Sequence, residues 1–316
     1  IYRKGISIHL MKLRQLEYIC EVARRGLNVS NVAEILHTAQ PGISTQIRLL
    51  EEELKIQIFE RNGKRLVGIT QPGQTIVAMA EKILREVDDI KQVGSEFSQE
   101  DTGTFSIATT HTQARYALPQ AIKAFKEEYP NVRLRIHLGN PTQVSEMVLS
   151  GVADLAITSE TAKMHKALVT MPCYDWDFCV ITPLDHPLLD EDLTLQSLSQ
   201  HPLVTYDYAF TGRSIINKAF TEQSLMTNMA LTAMDSDVIK SYVELGLGVG
   251  ILAKMAYNKE RDTNLRYADA SHLFQSNTTH LGITKGKYLR QYMYAFISKF
   301  APHLTKDAID GELSSD

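Results

Sequence analysis

Between residues 28 and 54, NVSNVAEILHTAQPGISTQIRLLEEEL, apolar positions repeat at helical spacing in two short runs. The first predicts a helix over 29–36, with Ser30 as its N-cap and Val32, Ala33, Ile35 and Leu36 on one face. The second begins at Gln40-Pro41, where proline suits a first turn because its missing N–H has no helical partner. Ile43, Ile47, Leu50 and Leu54 then define a stripe for burial. Gln40, Ser44 and Arg48 line the opposite face, a set of side chains suited to reading base edges in a major groove. Two readings stand: a helix-turn-helix, or a helical hairpin with a solvated face.

The flanking patterns favour the first. Residues 13–25 carry Leu16, Ile19, Val22 and Ala23 at helical spacing and stop at Gly26. After Leu54 the alternating run IQIFERNGKRLVGIT, with Asn62-Gly63 at its middle, predicts a hairpin whose turn carries Arg61, Lys64 and Arg65. Such a basic hairpin fits a wing that reaches phosphates. The candidate DNA contacts are therefore Ser30, Thr38, Gln40, Pro41, Ser44, Thr45 and Arg48, with Arg61 and Lys64 on the wing. From Thr70, a cap followed by Pro72, a helix carries Ile76, Ala80, Ile83, Val87 and Ile90 at heptad spacing. That seam fits pairing with a second chain or packing on its own domain. Residues 94–103, GSEFSQEDTG, read as a linker.

Beyond the linker, strands and helices alternate. Strands are expected at 105–109, 132–139, 154–159, 178–183, 203–206, 229–233 and 280–284, and helices at 114–129, 141–150, 214–223, 235–245 and 287–300. This is the order of a parallel sheet covered by helices, arranged as two α/β halves with a cleft between them.

Composition adjusts this picture only slightly. A chain of 316 residues has room for a couple of domains. Residues 11–73 hold nine Lys/Arg against seven Asp/Glu, while residues 74–316 hold 22 against 30, which suits a small cationic head on an acidic body. No apolar run reaches membrane-spanning length, no secretory signal is visible, and residues 1–10 read as an extension ahead of Met11. Cys20, Cys173 and Cys179 lack metal-ligand spacing and read as reduced thiols of a cytoplasmic protein. The GLGVG run of 246–250 lacks dinucleotide-fingerprint spacing, and there is no HExxH, P-loop or GxSxG motif. Catalysis, a metal site and a cofactor are therefore not expected.

The combination of Ala33, Gln40-Pro41, Ser44, Ile47, Leu50-Glu51, Leu54, Phe59-Glu60-Arg61 and Thr70…Gly73 resembles the LysR-type transcriptional regulators. The segments TTHTQARYALP (109–119), NPTQ (140–143), TMPCYDW (170–176), LVTY, FTGRS (210–214) and DSDVIKSYVELGLGVGI are similar to the CysB-type activators of cysteine biosynthesis and sulfur assimilation. The resemblance covers nearly the whole chain from Met11. It implies an α/β protein with a winged helix-turn-helix (11–69), a linker dimerisation helix (70–97) and a type II periplasmic-binding-protein-like effector domain (98–308). Subdomain I would comprise 103–172 and 278–308, and subdomain II 173–277.

The resemblance further implies an effector, acetylserine with sulfate or thiosulfate as opposing anions. The implied pocket residues are Thr110, Thr112, Gln113, Ser159 and Thr211, with Trp176 as a pocket wall or a core residue. Ser159 stands where the family has threonine. TTHTQ precedes a helix whose free N–H groups attract an anion, which suits this assignment. Promoter DNA, RNA polymerase and a homo-oligomer, a dimer of dimers, are the implied partners. The competing function is a solute-binding α/β protein without DNA-binding output.

Overall fold

The computed structural model describes residues 11–63, 65–97, 102–159 and 166–314. They divide into two compact units, the first ending at the linker and the second running from it to the C-terminal helix.

The first unit is three helices, a hairpin and a long helix. Helices α1 (Leu13–Arg24), α2 (Val29–Ile35) and α3 (Gln40–Leu54) bury Leu16, Ile19, Val22, Val32, Ile43, Ile47 and Leu50 in one core, and Leu54 packs at its edge. The cap of α2 is Asn28 instead of the expected Ser30: its Oδ1 accepts the Asn31 N–H at 3.1 Å, and Ser30 is an exposed residue of the first turn. Strands β1 (Phe59–Asn62) and β2 (Arg65–Ile69) form the wing. The closing pair is Asn62–Arg65, so the loop lies one residue beyond the Asn-Gly dipeptide, with Gly63 at φ +61°. Lys64 lies outside the described residues.

Helix α4 (Gln71–Phe97) starts at Thr70, whose Oγ1 accepts the Gly73 N–H at 2.9 Å. A Cβ on Gly73 would lie 2.1 Å from the Ile58 carbonyl oxygen, so only glycine lets the helix start this close to the wing. Two expectations for α4 change. Residues 94–97, read as linker, are helical despite Gly94, and residues 98–101 of that expected linker lie outside the described residues. The heptad seam is also divided. Ile76, Val77, Ala80 and Leu84 pack on the unit's own core, whereas Met79, Ile83 and Ile90 stay exposed.

The second unit holds two five-stranded sheets. In the first lobe the order is β4 (Val132–Leu138), β3 (Gly103–Thr109), β5 (Leu155–Ser159), β12 (Asn277–Thr284), β6 (Leu168–Trp176). In the second it is β11 (Leu265–Asp269), β7 (Phe178–Pro183), β10 (Val249–Ala253), β8 (Pro202–Tyr206), β9 (Asn228–Ala233). Helices α5 (Leu118–Glu128), α6 (Pro141–Leu149), α10 (Gln291–Phe300) and α11 (Lys306–Ser314) belong to the first lobe, and α7 (Leu195–Ser199), α8 (Thr211–Glu222) and α9 (Ser236–Glu244) to the second.

The sheets are mixed, not purely parallel. β12 runs antiparallel to β5 and β6, and β7 antiparallel to β10 and β11. The cause is the chain path: it leaves the first lobe after Trp176 and re-enters at Asn277, so each returning strand arrives from the opposite direction. Unanticipated elements are β6, β11, α7 and α11. β6 carries Pro172, which a central strand would exclude but this edge strand accepts. The helix expected from Ala114 begins at His111 and runs through a π-helical turn, Gln113–Ala117, before α5. Such turns are rare and often mark functional sites.

Candidate functional sites

In the first unit the buried stripe of α3 fixes which side faces outward. Gln40, Pro41, Thr45 and Arg48 are exposed, Ser44 is half-buried, and no acid lies among them. Arg48 lies 3.7 Å from Glu52, both side chains being more than half exposed, a pairing too weak to withdraw the guanidinium from a phosphate. Thr38 is half-buried in the turn between α2 and α3, where its N–H donates to the Ala33 carbonyl at 2.9 Å. Arg61 has a structural partner: its guanidinium donates to Glu51 Oε2 at 3.0 Å. Glu51 itself is 7 % exposed, and its Oε1 accepts the N–H groups of Ile58 and Phe59 at 2.9 and 3.1 Å. One buried carboxylate thus ties the recognition helix to the first wing strand.

In the second unit the strand register assembles a cleft. β3 ends at Thr109, β5 at Ser159 and β6 at Trp176, and antiparallel β12 begins beside them, pairing Asn277 with Trp176 and Thr279 with Ser159. The strand ends of the second lobe bring Tyr206, Phe210, Gly212 and Ala253 opposite. Of the expected pocket residues, Thr110, Thr112, Gln113, Ser159 and Trp176 all line this cleft. Thr211 is the first residue of α8, next to the lining residue Gly212; its side chain lies outside the described residues. The free space is about 30 Å³, the room of about two waters, so an organic ligand would have to part the lobes to enter.

The lining residues have different roles. Thr110 caps the helix, its carbonyl accepting the Ala114 N–H at 3.0 Å, which leaves the N–H groups of residues 111–113 without intrahelical partners. Those donors and the helix dipole suit an anion. The Gln113 amide is engaged elsewhere: it donates to Thr279 Oγ1 at 2.9 Å and accepts from Tyr174, whose hydroxyl burial has pushed up to about 12. Trp176 is half-buried, 5.1 Å from the Phe178 ring, so it serves both as wall and as core contact.

Residues not anticipated from sequence are Thr158 and Asn277. Both are at least nine-tenths buried and line the cleft, yet Thr158 Oγ1, both Asn277 amide atoms and Trp176 Nε1 have no hydrogen-bond partner among the described residues. Buried polar atoms are paired as a rule, and each exception disfavours folding by about 1–3 kcal/mol. No local motif marks either residue, because β12 and β5 meet only through the chain's return.

Side chains of the π-turn helix also bridge the lobes. Thr112 Oγ1 lies 3.0 Å from Ser236 Oγ, which lies 2.9 Å from the Tyr206 hydroxyl, and that hydroxyl accepts the Ala253 N–H. A second bridge is ionic. Tyr116 donates to Asp237 at 2.7 Å and Arg115 pairs with the same carboxylate. Lys240, 7 % exposed, donates to Tyr116 Oη, the Ala256 carbonyl and Asp262, and lies 2.9 Å from Asp237. Burial disfavours the Lys240 ammonium, but Tyr116, Asp237 and Asp262 outweigh it and its pKa is raised. Burial likewise acts against the Asp237 carboxylate, yet Tyr116 and Lys240 hold it below the usual range.

A helix-turn-helix head with a wing, together with a two-lobed α/β body enclosing a polar cleft, defines a ligand-responsive DNA-binding protein. Residues 13–74 match the bacterial regulatory helix-turn-helix of the lysR family, and residues 98–304 match the LysR substrate binding domain. The chain belongs to the LysR family of transcriptional regulators.

It is 47 % identical to the HTH-type transcriptional regulator CysB of Burkholderia cenocepacia, over 97 % of this chain and 98 % of that one. It is 45 % identical to the regulator SsuR of the same organism, over 96 % and 99 %. Among solved structures, the cofactor-binding domain of the Cbl transcriptional regulator superposes with a TM-score of 0.66 at 40 % identity, covering 69 % of this chain and 96 % of that one. These relatives are regulators and not enzymes, and the helix-turn-helix match disfavours a solute-binding protein without DNA output. Among the described residues no helix is long and apolar enough to cross a membrane.

Proposed function

We propose that the chain is a cytoplasmic activator of sulfur-assimilation and cysteine-biosynthesis genes, controlled by acetylserine, with sulfate or thiosulfate as opposing ligands in the cleft. The observation that carries the ligand reading is the meeting of free helix N–H groups and unpartnered buried polar atoms in one cleft. The sulfur reading rests on the resemblance to CysB-type activators over nearly the whole chain. In the mechanism, a ligand changes how the lobes are held together and so shifts the population of arrangements that place DNA-binding heads across an oligomer. A dimer of dimers is supported by the exposed residues Met79, Ile83 and Ile90 on α4 and by the exposed Val238 and Tyr242 of α9, with Met234 and Leu245 exposed just beyond its two ends. RNA polymerase is the partner at the promoter.

Two measurements test this. Calorimetry should show acetylserine and sulfate binding to the parent, weakened about 10-fold by Thr110→Ala, which removes the hydroxyl at the helix end. Absence of binding in the parent rejects the ligand reading. For DNA, the double variant Ser44→Ala/Arg48→Ala should lower affinity for a promoter upstream of sulfur-assimilation genes at least 10-fold and reduce the salt slope by about one unit, since one phosphate- or guanine-directed cation is lost. Unchanged affinity rejects α3 as the reading helix. Ser30, Thr38, Gln40, Pro41, Thr45 and Lys64 complete the proposed DNA face, with Arg61 acting through its tie to Glu51.

A further inference from the structure

Arg213 lies in the first turn of α8, yet neither it nor its contacts Tyr208 and Met229 line the cleft. The side chain is 2 % exposed. Nη1 donates to Met229 Sδ at 3.1 Å and Nη2 to the Tyr208 hydroxyl at 3.2 Å, with the guanidinium carbon 4.6 Å from the centre of the Tyr208 ring. Nε is buried without a hydrogen-bond partner, and among the described residues no carboxylate pairs with the group. Three unfavourable features thus coincide. A buried cation lacks a counter-charge, a buried N–H lacks an acceptor, and a positive side chain occupies the positive end of a helix whose first turn holds no acid. The ring face and the thioether are neutral and offset only part of this.

An anion at the same place would remove all three. Nε and Nη2 share one edge of the guanidinium, the edge that grips two oxygens with parallel hydrogen bonds. Its cover is Tyr208, which is 70 % exposed, so turning that ring outward gives up little burial and opens the edge to solvent. Charge then selects the ligand. One guanidinium neutralises one negative charge, so a dianion such as sulfate would leave excess charge in a poorly solvated place, whereas a carboxylate leaves none. We propose that Arg213 is a binding site for a monocarboxylate, closed by the Tyr208 side chain and separate from the cleft. The site stands whether or not the cleft binds an effector. It also has a route to the cleft, because Phe210, two residues after Tyr208, lines the cleft wall.

The test is the melting temperature of the full chain against sodium butyrate concentration, with ionic strength held constant by sodium chloride. Butyrate should stabilise the parent, bind at least about 10-fold more weakly to Arg213→Met, and bind about 3- to 10-fold more tightly to Tyr208→Ala, which lacks the competing ring. If Arg213→Met does not fold, Arg213→Lys keeps the charge without the two-point edge and must still weaken butyrate. Thr110→Ala, altered in the cleft, should bind butyrate as the parent does. A blocked Gly-Glu-Gly peptide separates the sources of the carboxylate: tighter binding than butyrate assigns the site to a glutamate of a partner protein, weaker binding to a free carboxylate. Unchanged butyrate affinity in the Arg213 variants or in Tyr208→Ala overturns the site. Loss of binding in Thr110→Ala with retention in Arg213→Met places butyrate in the cleft and overturns it as well, and so does displacement of butyrate by sulfate.

Discussion

Glu51→Ala is expected to destabilise the DNA-binding unit by about 2–4 kcal/mol, because it orphans two backbone donors and leaves the Arg61 guanidinium half-buried without its carboxylate. For a unit of this size the melting temperature should fall by roughly 10–20 °C. Glu51→Gln separates the two contributions. Its amide oxygen still accepts from Ile58 and Phe59, so most stability returns, but the pairing with Arg61 weakens. Thermal unfolding followed together with DNA binding checks both: the alanine variant loses both, and the glutamine variant folds with a looser wing. A melting temperature unchanged in Glu51→Ala would mean that the carboxylate does not hold the wing to α3.

Lys240→Met should have an effect of similar size in the second unit, about 2–4 kcal/mol, since it leaves the buried Asp262 without its cation and the half-buried Asp237 with Arg115 as its remaining cation. The parent's pH dependence follows from the same groups. Asp237 has a depressed folded pKa, so its contribution is fully present above the ordinary carboxylate value near 4 and is lost as pH falls through the lower folded value. Lys240 has a raised folded pKa, so its contribution is full below the ordinary lysine value near 10.4 and disappears only as pH rises through the higher folded one. The clamp should therefore hold constant strength across about pH 5 to 9. Chemical denaturation as a function of pH checks this: the acid limb that Asp237 gives the parent should shrink in Lys240→Met. An unaltered acid limb would remove Asp237 from the account.

What could be read beforehand divides by the range of the interaction. The stripe Ile43, Ile47, Leu50 states that α3 is a helix and which face is buried, because helical periodicity is local. The Thr70 cap and the Gly63 turn are likewise short-range. The cap of α2 is Asn28, two residues before the expected Ser30; both residue types suit a cap, and only the backbone entering α2 chooses. The heptad seam of α4 was right as a pattern but divided in use, because its first four turns find a core with α1 that a one-dimensional pattern does not display.

For the cleft, TTHTQ, Ser159 and Trp176 were legible through the resemblance to CysB-type activators, and they line the cleft. Gln113 could be placed but its partners could not, and its amide proved to be held by Thr279, 166 positions away. The sequence alone determined the element types, the two-unit organisation, the outward face of α3 and, through its motifs, the family. Tertiary structure decided the rest. Asn277 reaches the cleft only because β12 returns antiparallel beside β5 and β6, and the Lys240 clamp exists only where two lobes meet. Both depend on strand pairing across long chain separations, and no periodicity in the chain records which strand a returning segment will join.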